Sequence, residues 1–354
     1  MLMLFSEKTM GDMKQSLLAY EGALEDVTAY NGVVLKMPSP STFPLPQADR
    51  DSFTQYTQEA RSNSNLWMET IVRRCRSIPA NISGIDMLFK QDFKFVNRSL
   101  NELLGSPDDK AIKEALKKTL DSMCEIMDKY QKNIVSTVDY INQYHDGVAG
   151  NAKNIVEIST KVKNQQKVDE GKKREIQGKI LEATAKLEEA SAKVSADESL
   201  LRKKKFILVS VLGFGIPFFV VSIDLAVAKQ TIREEKNLLD LYGDTLSDEA
   251  HNIAVLSAAE TVYTNLQARI TALTKSFGSI ISVWQSFKDD CQRFIGTITD
   301  EEKHVSADEI KEALDNMKVT SARWDALKTL SDELMNVKYD LVTDENDVMV
   351  IMAG

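Results

Sequence analysis

One apolar stretch constrains the fold more than any other feature of this chain. Residues Phe206 to Ala228 read FILVSVLGFGIPFFVVSIDLAVA and contain a single charged side chain, Asp224. Two glycines and a proline interrupt the middle of the stretch, and four consecutive basic residues precede it. The rest of the chain has the pattern of polar-faced helix. Such a chain has to shelter this stretch from water or place it in another apolar phase.

The composition permits very long helices and argues against several classes of function. Of the seven prolines among 354 residues, only Pro217 follows residue 108, so little interrupts a helix in the longer part of the chain. A net charge of −9 argues against a general nucleic-acid-binding protein, which is expected to be basic. Three widely separated cysteines provide neither a disulfide framework nor metal-ligand spacing.

Apolar residues at helical spacing divide the chain into predicted segments. The clearest repeat, from Leu256 to Ile298, alternates steps of three and four residues and is typical of coiled-coil-like bundles. Helices of about 50 residues would each be about 75 Å long and would fold back on each other as a rod with the apolar stretch at one tip. The segments are an N-terminal helix (1–37), a proline-rich connector (38–48), a long-helix bundle (49–200 and 230–337), a hydrophobic head hairpin (201–229) and a C-terminal tail (338–354).

Local signals predict where several helices begin and end. Pro79 is expected to kink or break the second helix. Ser106, followed by Pro107 and two acids, is expected to cap a third helix that continues to the apolar stretch. Ser306 and Glu309 have the spacing of a capping box at the start of another helix. The C-terminal tail is either a short hairpin or a packed extended segment.

The sequence contains no recognisable catalytic chemistry. Phosphate-binding, zinc-protease and serine-hydrolase motifs are absent, and the three histidines are scattered. Acidic and basic side chains lie on the polar faces of predicted helices, where they are usually solvated. We therefore predict no catalytic residue, no cofactor, no metal site and no enzymatic activity.

The apolar stretch has three interpretations. It is long for a buried core helix, and a rod of a few helices has little interior in which to hide it. Its length suits a single transmembrane helix, although a glycine- and proline-rich centre is unusual in a plain anchor. In the third interpretation the stretch is a helical hairpin whose arms are each too short to span a bilayer. Basic residues on both flanks suit a hairpin with both ends on one side of the membrane.

The hairpin interpretation assigns a role to each part of the stretch. Gly213, Gly215 and Pro217 form the turn, and Arg202, Lys203, Lys204 and Lys205 lie at the lipid headgroups, where each is worth about 1 kcal/mol if the lipid is anionic. The predicted membrane-inserting residues are Phe206, Ile207, Leu208, Val209, Val211, Leu212, Phe214, Ile216, Phe218, Phe219, Val220, Val221 and Ile223.

These features together resemble the cytolysin A-like α-helical pore-forming toxins, and most of all the B component of the xenorhabdolysin-type binary cytotoxins. The resemblance rests on the short N-terminal helix, the connector from Pro38 to Pro46, the basic run before the apolar stretch, and the stretch itself. It implies an all-α, elongated bundle with a hydrophobic helical hairpin at one tip. It also implies a non-catalytic toxin subunit that joins a larger A-type component on a target-cell membrane and forms a hetero-oligomeric ring around a lytic pore.

The N-terminal sequence has no basic region and too few apolar residues for a secretory signal. We therefore expect the chain to be made as a soluble product in the bacterial cytoplasm, to be released by lysis or a dedicated route, and then to act on the host cell membrane. The alternative function is a membrane-anchored coiled-coil scaffold or a secretion-system translocator. Such a protein would fractionate with membranes and require detergent, whereas a toxin subunit would purify in buffer.

Overall fold

The structure is a computed structural model. It describes residues 3–37, 46–192, 205–211, 216–222, 244–298, 305–336, 339–343 and 348–353, together with a few single positions between 230 and 242. Residues 187–192 and the strands are described by their backbone.

Long helices account for most of the described residues, as the apolar spacing predicts. A π-helical segment, Trp67–Ile71, joins the second helix to the third. The helices are α1 (Glu7–Lys36), α2 (Gln47–Leu66), α3 (Val72–Gly105), α4 (Lys110–Gln165), α5 (Glu170–Ala192), α6 (Asp248–Ile298) and α7 (Ala307–Met335). The strands are β1 (Lys205–Val211), β2 (Ile216–Ser222), β3 (Tyr339–Thr343) and β4 (Val348–Ala353).

The chain divides into two compact units, each assembled from three separate stretches of sequence. The aromatic unit comprises Met1–Glu21, Arg74–Tyr140 and Thr274–Asn336. The sheet unit comprises Gly22–Arg73, Ile141–Leu273 and Val337–Gly354. Helices α1, α4 and α6 contribute residues to both units.

The core of the aromatic unit is a cluster of five aromatic side chains. Trp324 of α7 lies against Phe89 of α3, with ring centroids 4.7 Å apart. Phe5, which precedes α1, stacks edge-on against Phe287 of α6 at 4.8 Å, and Phe93 contacts three of the others. All five are buried. Because large rings bury the most apolar area per residue, this cluster holds three helices and the N-terminal segment together.

The helices of the sheet unit are joined by buried polar contacts. The indole of Trp67 donates to the Thr28 hydroxyl at 3.1 Å, and the Tyr144 hydroxyl donates to the Asn31 side-chain oxygen. The ammonium of Lys163 lies 2.6 Å from a Glu260 carboxylate oxygen. A buried polar group destabilises the fold unless it is paired, so these contacts restrict how α1, the π-helical segment, α4 and α6 can align.

The structure shows neither a helix break at Pro79 nor a cap at Ser106, for local physical reasons. Helix α3 continues through Pro79 without a break. The neighbouring side chains Ile78 and Ile82 are both buried, and their packing offsets the roughly 3 kcal/mol that a helical proline costs. Ser106 does not cap α4. The Asp109 carboxylate does so by accepting from the amides of Ala111 and Ile112, at 2.9 and 3.1 Å.

The predicted single helix from residue 106 to the apolar stretch is also interrupted. Helix α4 ends at Gln165, and α5 begins at Glu170. The Asp169 carboxylate accepts from the Gly171 amide at 2.7 Å and so caps α5. By contrast, the capping box at Ser306 is confirmed, because its side chain and that of Glu309 each accept from the other's backbone amide.

The apolar stretch forms strands rather than helices. Residues 205–211 and 216–222 are antiparallel strands β1 and β2, so the predicted helical conformation of the hairpin is wrong. Each arm is only seven residues long and rich in valine, isoleucine and phenylalanine, a length and composition that favour strand over helix. The C-terminal tail adopts the hairpin alternative as β3 and β4. The all-α prediction is confirmed for the fold, within which these two hairpins are the strands that the structure describes.

Candidate functional site

The candidate site is a four-stranded antiparallel sheet that combines two distant parts of the sequence. Its strand order is β2-β1-β4-β3. We call β1 and β2 the apolar hairpin, and we call β3 and β4 the C-terminal hairpin. Strand β1 lies between β2 and β4, so the apolar hairpin is bonded to the C-terminal hairpin along its inner edge.

The pairing register is regular in all three ladders. Between β1 and β2 it runs from Lys205 opposite Ser222 to Val211 opposite Ile216. Between β1 and β4, five residue pairs extend from Lys205 opposite Met352 to Val209 opposite Val348. The two hairpins therefore share backbone hydrogen bonds over most of the length of β1.

The sheet contains most of the residues that the sequence predicts to insert into a membrane. Strand β1 contains Lys205, Phe206, Ile207, Leu208, Val209 and Val211, and strand β2 contains Ile216, Pro217, Phe218, Phe219, Val220 and Val221. The remaining predicted site residues lie outside the described residues: Arg202, Lys203, Lys204, Leu212, Gly213, Phe214, Gly215 and Ile223.

Pro217 is a strand residue and not part of the turn. It belongs to β2 and lies opposite Ser210 of β1. Strand β2 is at the edge of the sheet. An edge strand tolerates proline because only one of its sides needs amide donors for the ladder. Of the three predicted turn residues, Gly213 and Gly215 belong to the four-residue segment that links the strands in sequence.

Both faces of the sheet are largely apolar, with Ser210 and Thr343 on one face and Lys205, Ser222 and Asp340 on the other. Alternate residues of a strand belong to opposite faces, and directly paired residues share a face. One face carries Phe206, Leu208, Phe219, Val221, Leu341, Met349 and Ile351, and the other carries Ile207, Val209, Phe218, Val220, Val342, Val348 and Val350. Strands that read as continuous apolar runs are typical of sheets covered on both sides. The sheet therefore requires apolar surroundings on two faces.

Sequence reasoning missed the contribution of the C-terminal hairpin to this site. The run Val348–Met352 is as apolar as the arms of the apolar hairpin, and this composition was the available signal. Its partner strand β1 is well over a hundred residues earlier, and no local pattern specifies so distant a pairing.

Helix α5 leads into the apolar hairpin and lies against β2. Tyr242, which follows the hairpin in sequence, also lies beside this helix. The ammonium groups of Lys172 and Lys179 are 4.9 and 4.8 Å from the centre of its ring. Burial raises the pKa of the Tyr242 hydroxyl above its ordinary value. The chain that leaves the hairpin thus returns to the helix that precedes it.

Within the described ranges, no group of histidine, cysteine and acidic side chains is arranged to hold a metal ion. None of the described helices combines the length and apolar character needed to cross a membrane.

Comparison with known proteins identifies the fold. No protein-family model matches the chain, and no curated protein matches its sequence. Among solved structures, the HblL1 toxin component of Bacillus cereus is 12% identical with a TM-score of 0.74, covering 94% of this chain and 97% of that chain. Soluble AhlB, from the tripartite α-pore-forming toxin AHL of Aeromonas hydrophila, is 17% identical with a TM-score of 0.68, covering 91% and 92%.

The AhlB pore of the same toxin is a more distant match, although the alignment is equally extensive. It is 14% identical with a TM-score of 0.57 and covers 94% of this chain and 98% of that chain. The backbone described here is therefore nearer to the soluble form of AhlB than to its pore form. These likenesses confirm, at the level of the fold, the resemblance to α-helical pore-forming toxins.

Proposed function

We propose that this chain, which has the fold of components of tripartite α-pore-forming toxins, is itself a component of a pore-forming cytotoxin. It acts by entering a membrane and performs no catalysis. The observation that carries the proposal is a hairpin that is apolar on both faces within a helical fold of this kind. Such a hairpin is costly to maintain in water and is suited to a second, apolar environment.

The membrane-inserting surface is the apolar hairpin together with its flanks, from Phe206 to Ile223. A seven-residue strand is about 23 Å long at 3.3 Å per residue, which is less than the roughly 30 Å hydrocarbon core of a bilayer. The hairpin alone therefore does not span the bilayer. We expect crossing to involve neighbouring residues or to be shared with another component.

The basic run Arg202–Lys205 lies at the lipid headgroups in this proposal. Each basic side chain near an anionic surface contributes about 1 kcal/mol, and the contribution falls with ionic strength. Membrane binding should therefore depend on anionic lipid and weaken in salt.

The proposed partner is a larger A-type toxin component. With it the chain would form a hetero-oligomeric ring on the target-cell membrane, and the ring would enclose the pore. Three of the solved proteins with this fold belong to toxins described as tripartite, which supports other toxin components as the partners of this chain. The chain would be made as a soluble bacterial protein, released, and bound to host membranes.

Dye release from liposomes tests this proposal. The purified chain should release dye fully only when a larger component is added. Phe218→Asp should lower release about a hundredfold, because a central charge in lipid costs about 2.5–3.5 kcal/mol and each 1.4 kcal/mol corresponds to a factor of ten. Met87→Asp is a matched control, since Met87 is 68% exposed on α3.

Two results would contradict the proposal. One is full dye release by Phe218→Asp. The other is recovery of the chain from the membranes of the producing cell only in detergent, which is the behaviour of a membrane-anchored scaffold or translocator. Thermal unfolding of both variants should be followed in parallel, so that loss of release is separated from loss of fold.

A further inference from the structure

We propose that the C-terminal hairpin is a clasp, which holds the apolar hairpin in the soluble fold and has to leave β1 before the apolar hairpin enters a membrane. This inference rests on the proposed function. It assigns to residues Tyr339–Ala353 an inhibitory role that is separate from insertion itself.

The first argument is the position of β1. Of the two strands of the apolar hairpin, β1 is the one that pairs with β4, and the ladder between them contains five residue pairs. When a ladder opens, its backbone N–H and C=O groups lose their hydrogen bonds and have to form others. Opening is therefore a discrete step with a free-energy barrier, which is the property required of a device that prevents premature insertion.

The second argument is that the sheet cannot enter lipid as it stands. Only helices and closed barrels satisfy all their backbone groups within the hydrocarbon core. The described sheet is open, with β2 and β3 at its edges. Entry of the apolar hairpin thus requires a rearrangement in which β1 exchanges its present partners for others.

The third argument is charge. It indicates that the C-terminal hairpin does not enter the membrane with the apolar hairpin. The segment between β3 and β4 contains Asp344, Glu345 and Asp347. In the register, β3 ends at Thr343 and β4 begins at Val348, which lies opposite Val209. Strand β1 ends at Val211, so these strand ends are at the same end of the sheet. If that end leads into the bilayer, three acids would enter with it, and each charge in the hydrocarbon core costs several kcal/mol. The C-terminal hairpin is therefore unsuited to accompany the apolar hairpin.

The composition of β4 fits the role of a cover in water. All six residues from Val348 to Ala353 are apolar, and they lie alongside β1, which is apolar at five of its seven positions. An apolar strand paired along its length also protects the partner edge from pairing with another molecule. The clasp therefore protects the apolar hairpin against aggregation as well as against early insertion.

A reversible disulfide across the β1–β4 ladder tests the inference. Leu208 and Met349 are directly opposite each other, and paired positions of an antiparallel ladder lie close to the spacing that a disulfide needs. The double variant L208C/M349C is made in the full chain after Cys75, Cys124 and Cys291 have been replaced by alanine. The reduced form of the same variant is the reference, because Leu208 belongs to the proposed membrane-inserting surface. Oxidation should lower binding to phosphatidylcholine–phosphatidylserine vesicles in a flotation assay relative to this reduced form.

The matched control is the double variant V342C/V350C. These residues are also directly opposite, but both belong to the C-terminal hairpin, so their disulfide leaves the β1–β4 ladder free to open. Its oxidised and reduced forms should bind vesicles equally. Mass spectrometry establishes that each disulfide has formed, and circular dichroism that each variant is folded.

Hydrogen exchange of the unmodified chain provides a second measurement, which does not depend on cysteine variants. On addition of the same vesicles, the amides of residues 348–353 should lose protection, whereas those of α3 should keep theirs. The inference is overturned if the oxidised L208C/M349C variant binds as the reduced form does, or if residues 348–353 stay protected with vesicles present. Dye release with a larger component tests the proposed function separately. No release by the reduced variant would contradict the proposed function, whereas release by the oxidised variant would contradict the clasp alone.

Discussion

The aromatic unit and the sheet unit both have apolar cores but differ in the side chains that meet at their centres. In the aromatic unit, five packed rings form a buried cluster around Trp324. In the sheet unit, buried hydrogen bonds and ion pairs join the helices, and the Arg269–Asp26 pair at 3.2 Å adds to those described above. The first kind of contact is strong and non-directional, whereas the second fixes the alignment of helices but adds little net stability.

This difference bears on which contacts can rearrange and which stay packed. An apolar cluster has no alternative partners in water, so it stays formed. A polar contact can be exchanged for water or for another polar group at a small net change in free energy. The sheet unit also contains the apolar hairpin. Exchangeable contacts therefore join helices within the unit in which we propose a rearrangement.

The largest expected effect is on the aromatic cluster. Trp324→Ala should lower the free energy of unfolding by about 3–5 kcal/mol, because it removes the ring that contacts the other four. Urea unfolding measures this loss. Trp324→Phe is the control and should cost much less, since it keeps an aromatic ring and removes an indole N–H that has no partner among the described residues. Equal losses for the two variants would contradict the packing argument.

The next effect concerns the polar contacts of the sheet unit. Lys163→Met should lower the free energy of unfolding by about 2–3 kcal/mol, because the Glu260 carboxylate loses a charged partner in a largely buried position. The double variant Lys163→Met/Glu260→Gln should recover part of this loss in the same urea experiment. No recovery would mean that the lysine acts through its packing and not through its charge.

A pH effect is expected from Cys75 in the aromatic unit. Burial raises the pKa of the Cys75 thiol from 9.0 to about 12, so the folded protein keeps a proton that the unfolded chain loses above pH 9. Stability is therefore complete below pH 9 and falls as the pH rises toward 12, with a loss of about 1–2 kcal/mol by pH 10. The slope of unfolding free energy between pH 8 and pH 10, measured for the wild type and for Cys75→Ala, should be shallower in the variant. Identical slopes would contradict this assignment.

The smallest effect is expected at an exposed helix end. Ser306→Ala should lower the free energy of unfolding by about 1 kcal/mol, because the Glu309 amide loses its side-chain acceptor at 3.2 Å. Ser306→Asp keeps an acceptor at this position and should stay near the wild type. A loss as large as that of Trp324→Ala would show that the capping box, like the aromatic cluster, determines the stability of its unit.

Local signals in the sequence predicted most of the helical part of the fold. The repeat from Leu256 to Ile298 lies within α6, and the capping box begins α7 as predicted. The predictions failed where one local signal competed with another. Pro79 was outweighed by the packing of its neighbours, and Ser106 by the better-placed carboxylate of Asp109. The predicted five-segment division of the chain stays a prediction.

The candidate site was found by its composition, but its conformation was not. The apolar arms on either side of Gly213 and Gly215 were recognised, and their described residues form β1 and β2. Their helical conformation was wrong, because a run that is apolar at every position carries no periodicity to distinguish helix from strand. The assignment of Pro217 to the turn was wrong because an edge strand tolerates it.

The sequence by itself determined the long helices, their apolar faces and the presence of one stretch that water cannot readily accommodate. These follow from side-chain spacing and from local caps, and both act over a few residues. Only the tertiary structure decided that this stretch is a pair of strands and that Val348–Ala353 lies beside Lys205–Val209. The physical reason is that a strand obtains its hydrogen bonds from another segment, so its conformation depends on a partner that can be anywhere in the chain.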